Sequence, residues 1–336
     1  MRRVSLLLAF AFATLIVAWP AYAGQAPGNS GRPLKIYGAT FSSTFTIYAL
    51  SPDILAGWNG PLREYEKQFI PKPYQDLPVL GGWYGNGFFP DREVLVSAGL
   101  DNILLLTADT DFTASIEKAL TDIGLPFLSV RGLYLDDYAS MFRTIGTAFT
   151  MPERGEALAA HIEGVLERGR AVASGVPADQ RLRVYLAHDP DGLGTVCAGS
   201  NRSELLIAAG GVNVHACPDI MGKESTTRVS FEQVMAYDPD VVIAIHPSFI
   251  NNVDKDGKWK NLRAVRQGRL CKAPREPFAW VDKPSTFMRV VALPWFACTL
   301  YPERCTVDLV KETHDFMDLF FSLDLDEATV DAVLHP

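Results

Sequence analysis

Two histidines follow apolar runs in the second half of the sequence, in positions where an imidazole could do chemistry. His188 ends the run R-V-Y-L-A-H, and His246 ends V-V-I-A-I-H before a proline. Neutral imidazole is the commonest protein ligand of transition metals, so either ring could complete the coordination shell of a bound metal chelate. The competing interpretation is a hydrogen-bonded histidine at the end of a strand, with no role in metal binding.

The segment that contains His246 repeats a pattern found earlier in the chain. Glu232 to Ser248 reads E-Q-V-M-A-Y-D-P-D-V-V-I-A-I-H-P-S, and Glu93 to Thr107 reads E-V-L-V-S-A-G-L-D-N-I-L-L-L-T. In both, a glutamate opens a predicted helix, an aspartate follows eight residues later, and aliphatic residues lead to a polar one. The constant offset of 139 residues aligns Thr107 with His246. Two similar halves explain this repeat, although helix–turn–strand units resemble one another in any α/β protein.

Alternating strands and helices on both sides of a long helical segment indicate an α/β architecture. Leu34–Tyr37 and Arg183–His188 have strand patterns, and Phe112–Ile123 has a helical one. This alternation predicts mainly parallel sheets with crossover helices. Between 136 and 173 apolar residues recur at helical spacing, and Pro152 predicts a bend or a fresh helix start there. We expect three parts after the leader: an N-terminal α/β lobe (24–134), an inter-lobe backbone helix (135–175) and a C-terminal α/β lobe (176–336).

The N-terminus has the features of an export signal. Arg2 and Arg3 precede the apolar run Ser5–Trp19, and Ala21-Tyr22-Ala23 matches a small-x-small cleavage site. The run is shorter than the roughly 20 residues that a membrane-spanning helix needs. The residues near the cleavage point contain no Leu-x-x-Cys motif, which would indicate a lipid anchor. We expect residues 1–23 to be a signal peptide and the protein to be periplasmic and soluble rather than lipid-anchored.

Charge argues against a nucleic-acid partner. The chain has 31 basic and 39 acidic residues, a net charge of −8, and no Lys/Arg cluster beyond short pairs. Nucleic-acid binding needs a concentrated basic surface, which this sequence does not predict.

The five cysteines lie in the second half and would meet an oxidising compartment. Proximity in sequence favours the pairs Cys197–Cys217 and Cys298–Cys305, and an odd count leaves at least one cysteine unpaired. No pair has the C-x-x-C spacing of a zinc or redox motif, so we expect structural disulfides.

Four runs in fixed order carry a family resemblance: E-L-L-I-A-A-G-G-V-N-V, V-S-F-E-Q-V-M-A-Y-D-P-D-V-V-I, W-K-N-L-R-A-V-R-Q-G-R-L, and W-V-D-K-P-S with L-P-W-F-A-C-T-L-Y-P. Over residues 34–330 the sequence resembles periplasmic substrate-binding proteins of ABC importers for ferric siderophores, cobalamin and haem. The resemblance implies two Rossmann-like lobes joined by one long backbone helix, with a ligand cleft between them. Because ligands collect at the carboxyl ends of parallel strands, Thr107 and His246 would face this cleft from opposite lobes.

Aromatic side chains are the first group of expected ligand contacts. Trp83 and Tyr84 lie in a glycine-rich loop and could cover a planar chelate, with Trp280 as their counterpart in the second half. Tyr134 precedes the long helical segment and is expected at the cleft floor. Isolated apolar side chains at a protein surface are the ordinary alternative.

Arginines are the second group, because ferric chelates and carboxylated ligands are commonly anionic. Arg202 and Arg228 could hold carboxylate or catecholate oxygens in a bidentate geometry. The alternative for each is a solvent-exposed arginine without a binding role.

The two repeated glutamates have a separate implied role. In the resembling family, one exposed acidic residue on each lobe docks into the membrane permease, and Glu93 and Glu232 stand at the matching positions. A glutamate in a first helical turn also stabilises the helix dipole by about 0.3–1 kcal/mol. The importer permease in the inner membrane is therefore the expected protein partner.

The predicted function is the capture of a metal chelate, most specifically a ferric siderophore. We expect the protein to be a monomer that has no cofactor of its own and binds the iron chelate as its ligand. Haem, cobalamin or cobinamide remain alternative ligands of the same fold. An extracytoplasmic enzyme or a chelatase-like metal-handling protein is the alternative of another class. No G-x-S-x-G, H-E-x-x-H, P-loop or G-x-G-x-x-G motif supports that second class.

Overall fold

The structure, a computed structural model, describes residues 32–83, 90–108, 111–217, 226–255 and 257–336. The predicted signal peptide lies outside these ranges. Within them, no helix is long and apolar enough to cross a lipid bilayer. The strands are β1 (Ile36–Gly38), β2 (Asn102–Thr107), β3 (Phe127–Arg131), β4 (Arg183–Ala187), β5 (Gly194–Val196), β6 (Val212–Asn213), β7 (Thr226–Arg228), β8 (Val241–Ala244) and β9 (Leu270–Lys272). The α-helices are α1 (Phe41–Leu50), α2 (Glu64–Lys67), α3 (Lys72–Gln75), α4 (Arg92–Ser97), α5 (Asp111–Ile123), α6 (Tyr138–Ala148), α7 (Pro152–Ala173), α8 (Glu204–Ala208), α9 (Phe231–Tyr237), α10 (Pro247–Lys255), α11 (Arg263–Arg266), α12 (Arg289–Leu300), α13 (Leu309–Phe321) and α14 (Glu327–Leu334).

Each half is built around a parallel sheet, as the alternating pattern predicts. The first half has the strand order β1-β2-β3, and the second has β6-β4-β8-β9. All pairings in these two sheets are parallel, whereas β5 and β7 form a separate antiparallel pair. The central strands β2 and β8 are almost entirely buried, because helices cover both faces of a parallel sheet.

The sequence repeat corresponds to a structural repeat around two aspartates. Asp101 precedes β2, and its carboxylate accepts a 2.8 Å hydrogen bond from the backbone N–H of Lys35, next to β1. Asp240 precedes β8, and its carboxylate accepts a 2.9 Å bond from the N–H of Arg183, the first residue of β4. An arginine also binds each carboxylate, Arg32 at Asp101 and Arg263 at Asp240. At the same offset of 139 residues, both halves therefore have an aspartate whose hydrogen bonds align neighbouring strands.

The long helical segment consists of consecutive helices rather than one. A short 3₁₀ turn leads into α6, which ends at Ala148, and α7 starts afresh at Pro152 with the proline in its first turn. Helices α6 and α7 pack closely because Gly146 and Gly155 meet: a Cβ atom on Gly146 would lie 2.8 Å from the Gly155 Cα. Of the two outcomes that Pro152 left open, the structure has the fresh start.

Packing joins the two halves beyond these helices. Phe278 of the second half stacks on Phe45 of α1, with ring centroids 3.7 Å apart. Near the C-terminus, Phe321 of α13 lies 6.2 Å from the ring of Tyr48, also on α1. The C-terminal helices thus contact the first half of the chain.

Both predicted disulfides are confirmed. Cys197 bonds to Cys217 and Cys298 bonds to Cys305, while Cys271 is free and half-buried. The first disulfide lies in the loops that follow β5 and β6, and the second staples the end of α12 to the turn before α13.

Candidate functional site

A cavity of about 930 Å³ lies between the two halves. This volume falls within the range of about 300–1,000 Å³ that is typical of small-molecule sites. Its lining comes from both halves and includes four cationic side chains, two carboxylates and four aromatic rings. The residues that define this cavity, called the inter-half pocket below, include Phe41, Phe45, Trp58, Arg63, Tyr65, Glu66, Arg202, His246, Arg275, Asp282 and Lys283.

The first-half wall begins at the N-terminus of α1. Thr40 caps the helix by accepting a hydrogen bond from the N–H of Ser43. The helix starts directly against the end of β1, where a Cβ on Gly38 would lie only 2.3 Å from the Thr44 nitrogen. From this helix, Ser42 Oγ donates a 2.7 Å hydrogen bond to the carbonyl of Ser285 in the second half. One turn of helix therefore lines the pocket and bridges the halves.

Two arginines, one from each half, converge on a tyrosine. The hydroxyl of Tyr65 accepts hydrogen bonds from the guanidinium of Arg63 and, at 3.3 Å, from Arg275. The two guanidinium carbons lie 5.7 and 5.8 Å from the centre of the Tyr65 ring, within cation–π distance. Tyr65 thus holds two positive charges close together at the pocket wall.

Asp282 orients Arg202, another cationic residue of the pocket lining. Its carboxylate is 2 % exposed. One oxygen accepts hydrogen bonds from the Lys283 N–H and the Ser285 hydroxyl. The other oxygen lies 3.4 Å from Arg202 Nε. Arg202 also donates to Thr226 Oγ1 at 3.1 Å, so two partners fix the direction of its guanidinium.

A fully buried arginine ties this region to the first half. Arg289, on α12, is 0 % exposed and donates to the carbonyls of Leu133 and Asn201 at 3.1 and 3.0 Å. Both acceptor residues line the inter-half pocket. Glu204 supplies the balancing carboxylate at 3.0 Å from the guanidinium. Arg289 is therefore one of the groups that link the two walls of the pocket.

His246 lies in the pocket, as its strand-end position predicts. Its Nδ1 accepts a 3.2 Å hydrogen bond from the N–H of Ser248 at the start of α10. Burial lowers the pKa of His246, and the charges of Arg275 and Lys283 lower it further. The ring is therefore neutral at neutral pH, and with Nδ1 as an acceptor its proton is on Nε2. His246 offers the pocket a hydrogen-bond donor.

Two predicted contacts are corrected because their side chains are buried away from the pocket. Trp280 is 0 % exposed, and its indole N–H donates to the carbonyl of Glu276 at 2.8 Å, which makes it a core residue. His188 is also 0 % exposed and packs 3.4 Å from Asp282. Burial lowers the pKa of His188 to about 4. A chelate in the pocket cannot reach either side chain.

Four further predicted contacts are not among the lining residues of the pocket. Arg228 is on β7 and forms ion pairs with Asp191 and Asp189 at the exposed surface, so the structure does not bring it into the pocket lining. Trp83 packs against the core of the first half. Thr107 and Tyr134 are half-buried beside the lining residues Leu106 and Leu133. Tyr84 lies outside the described residues. Arg202 and His246 are the predicted contacts that do line the pocket.

Glu93 and Glu232 occupy equivalent exposed positions. Asp91 caps α4 before Glu93, and Ser230 caps α9 before Glu232. Both carboxylates face solvent in the first turn of their helices. Hydrogen bonds from its own backbone N–H and from Ser230 lower the pKa of Glu232. Both residues therefore have the exposure that docking to a partner requires.

Sequence patterns contain only weak signals for the pocket residues that the predictions missed. The run R-E-P-F-A-W-V-D-K-P contains Arg275, Asp282 and Lys283. The ligand contact in this run was predicted at its tryptophan, whereas its charged residues line the pocket. Arg63 and Tyr65 belong to none of the motifs or repeats identified in the sequence. Nothing in their local spacing indicates that they meet a residue more than 200 positions away.

Comparison with known proteins gives consistent matches. A sequence-family model described as periplasmic binding protein matches residues 105–277. The chain is similar to the structure of an ABC transporter solute binding protein from Sulfurospirillum deleyianum DSM 6946, with 32% identity and a TM-score of 0.82, covering 90% of this chain and 94% of that one.

Two more distant structures support the fold alone. One is the molybdate periplasmic binding protein MolA of Haemophilus influenzae, with 20% identity, a TM-score of 0.68 and coverage of 88% of this chain and 94% of that one. The other is the vitamin B12 binding protein BtuF of Vibrio cholerae, with 18% identity, a TM-score of 0.64 and coverage of 81% and 98%. No curated protein sequence matches the chain.

Proposed function

The chain belongs to the periplasmic binding protein family of ABC transporters, and we propose that it captures an anionic metal chelate, a ferric siderophore, and delivers it to an importer permease. The observation that carries this proposal is the inter-half pocket, whose lining has four cationic side chains against two carboxylates. A net-acidic protein that concentrates positive charge in a pocket favours an anionic ligand.

The arrangement of the cations supports a ligand with several anionic oxygens. Arg63 and Arg275 share the hydroxyl of Tyr65, an oxygen that a ligand oxygen could replace. Arg202 also lines the pocket and is oriented by Asp282. Guanidinium groups bind carboxylate and catecholate oxygens in a planar, bidentate geometry. Phe41, Phe45 and Trp58 add apolar walls that suit the organic part of a chelate.

His246 completes this proposal as a hydrogen-bond donor rather than as a metal ligand. Because Ser248 occupies the Nδ1 lone pair, the available ring atom is the protonated Nε2. A protonated nitrogen donates to a ligand oxygen but cannot coordinate a metal without a change of tautomer. We therefore expect the metal to be held by the chelator alone.

The experiment is to purify the protein from the periplasm of iron-limited cells and record native mass spectra and absorption spectra. The expected result is a complex whose added mass includes iron and which has a broad charge-transfer band in the visible range. A Soret band, a corrinoid spectrum or bound molybdate would contradict the siderophore proposal and identify the ligand class instead. The pocket is many times larger than a tetrahedral oxoanion needs, which argues against molybdate.

The proposal includes no catalysis. The ligand released by mild denaturation should have the same mass as the ligand added, and prolonged incubation should not change it. Conversion of the ligand by the purified protein, lost in a pocket variant such as Arg275→Ala, would support an enzyme instead.

A further inference from the structure

A second cluster of metal-ligating side chains lies in the second half, apart from the inter-half pocket. Cys197, His215 and Cys217 each offer one ligand atom, and these atoms all lie within 4.8 Å of one another. The two sulfurs form a disulfide in the structure. A metal could therefore bind these atoms only after the disulfide is reduced.

His215 has the features of a metal ligand rather than of a simple core histidine. It is 7 % exposed, and among the described residues its Nε2 has no hydrogen-bond partner. Buried polar atoms are normally paired, so an unpaired ring nitrogen requires an explanation. Its other nitrogen, Nδ1, lies 2.8 Å from the hydroxyl of Tyr237. A hydrogen bond at the second ring nitrogen is the usual way in which proteins orient metal-binding histidines.

The backbone holds the three residues together independently of the disulfide. The N–H of Ala198, next to Cys197, donates to the carbonyl of His215 at 2.9 Å. The N–H of His215 donates to Asn213 Oδ1 at 2.9 Å, and Asn213 also binds the carbonyl of Val196. These bonds tie the two cysteine-bearing loops to each other, so we expect the ligand atoms to stay close after reduction.

We propose that the reduced protein binds a zinc ion through Cys197, His215 and Cys217, with a water molecule in the fourth position. Two cysteines and one histidine with an open position form a known type of tetrahedral zinc site. Two thiolates neutralise the charge of the divalent ion, which suits a largely buried location because burying an unbalanced charge is costly.

The chemistry balances with a dithiol reductant as the electron donor. The dithiol transfers two electrons and two protons to the Cys197–Cys217 bond and becomes a disulfide itself, which leaves two thiols on the protein. Zinc binding then releases the two thiol protons. Transfer of two electrons from the thiolates to a disulfide oxidant, which becomes a dithiol, re-forms the Cys197–Cys217 bond and releases the ion. The site is independent of the proposed pocket ligand, so its test does not depend on that proposal.

The test uses the full chain reduced with a phosphine reductant and alkylated with iodoacetamide in the presence or absence of zinc. Peptide mass spectrometry then gives the alkylation rate of each cysteine. We expect zinc to slow the alkylation of Cys197 and Cys217 at least tenfold and to leave Cys298 and Cys305 unchanged. The second pair is the internal control, because the same reductant opens it.

Variants and a spectroscopic probe sharpen the result. His215→Ala should weaken zinc protection at least tenfold, whereas His335→Ala, at the exposed C-terminus, should not change it. With Co²⁺ as the probe, the reduced protein should develop sulfur-to-cobalt charge-transfer and tetrahedral d–d bands, and the oxidised protein should not. Equal alkylation with and without zinc, or protection that survives His215→Ala, would overturn the proposal.

Discussion

The two halves of the molecule share a scaffold and differ in what they bring to the pocket. Asp101 and Asp240 accept equivalent hydrogen bonds from the neighbouring strand, 139 residues apart. At the ends of the same central strands, however, Thr107 stays out of the pocket lining whereas His246 lies in it. In the first half, α1 and the loop around Arg63 supply the wall instead. The repeat thus preserves the groups that align strands, while the binding groups have diverged.

The halves also differ in covalent stabilisation. Both disulfides and the free Cys271 belong to the second half, and the first half has no cysteine. Cys197 is tied to the segment that carries Arg202, because the N–H of Ser200 and the hydroxyl of Ser203 both donate to the carbonyl of Cys197. The second-half wall of the pocket is therefore stapled, and the first-half wall is held by packing.

The largest expected effect concerns the exposed glutamate that each half has at an equivalent position. The double variant Glu93→Lys/Glu232→Lys should abolish ligand uptake in cells because it reverses both exposed charges proposed to dock with the permease. Ligand affinity of the purified variant should be unchanged, since neither residue is among those that line the pocket. Uptake at the wild-type rate, or a loss of affinity, would contradict the docking role.

The next effect tests whether both halves contribute to ligand binding. Arg63→Ala and Arg275→Ala should each weaken binding of the co-purifying ligand by about ten- to a hundredfold, the value of a charged hydrogen bond. Calorimetric titration measures this, with Arg228→Ala as the control because that arginine lies outside the pocket. A loss confined to one half would mean that the ligand binds that half alone.

Sequence patterns predicted the scaffold better than the site. Periodicity located β2 and β8, and Pro152 indicated either a bend or a fresh helix start, because these features depend on local backbone preferences. The pocket cations escaped prediction because Arg63 and Arg275 meet only through tertiary packing. Trp280 was assigned to the wrong environment since an aromatic residue in a loop-like sequence is equally compatible with a core. His246 was found because binding groups collect at the carboxyl ends of parallel strands, but the same argument did not hold for Thr107, which is not among the lining residues.

A smaller effect should separate the two disulfides. In the chain-entropy account, removing the Cys197–Cys217 disulfide, whose cysteines are 20 residues apart in sequence, lowers the unfolding free energy by about 3 kcal/mol. Removing the Cys298–Cys305 disulfide, whose cysteines are seven residues apart, lowers the unfolding free energy by about 2 kcal/mol. Denaturation of the two double-serine variants measures the difference. Hydrogen exchange should increase in the second half and remain unchanged at β1, β2 and β3; increased exchange there would show that the halves do not respond separately.

The smallest effect tests the equivalence of the aspartates. Asp101→Asn and Asp240→Asn should each lower the unfolding free energy by about 1–2 kcal/mol, because each loses charged hydrogen bonds to a backbone N–H and an arginine. Denaturant titration measures both values. Values that differ by more than about 2 kcal/mol, beyond the range expected for one such bond, would break the structural equivalence.

Asp240 alone predicts a pH dependence of stability. Burial alone would raise the pKa of Asp240, but the hydrogen bonds from the Arg183 N–H and the Arg263 guanidinium lower it overall. Its folded-state pKa is thus below the unfolded value of about 3.9. Its contribution is complete above that unfolded value and is lost as the pH falls through the folded pKa. Asp240→Asn should therefore reduce the acid sensitivity of stability, and an unchanged pH profile would contradict this account.

The most direct test of the central claim is a crystal structure of the protein with the ligand that co-purifies with it. The account predicts ligand density in the inter-half pocket, with oxygens within hydrogen-bond distance of Arg63 from the first half and of Arg275 and His246 from the second. Density that contacts residues of only one half, or that lies outside this pocket, would contradict it.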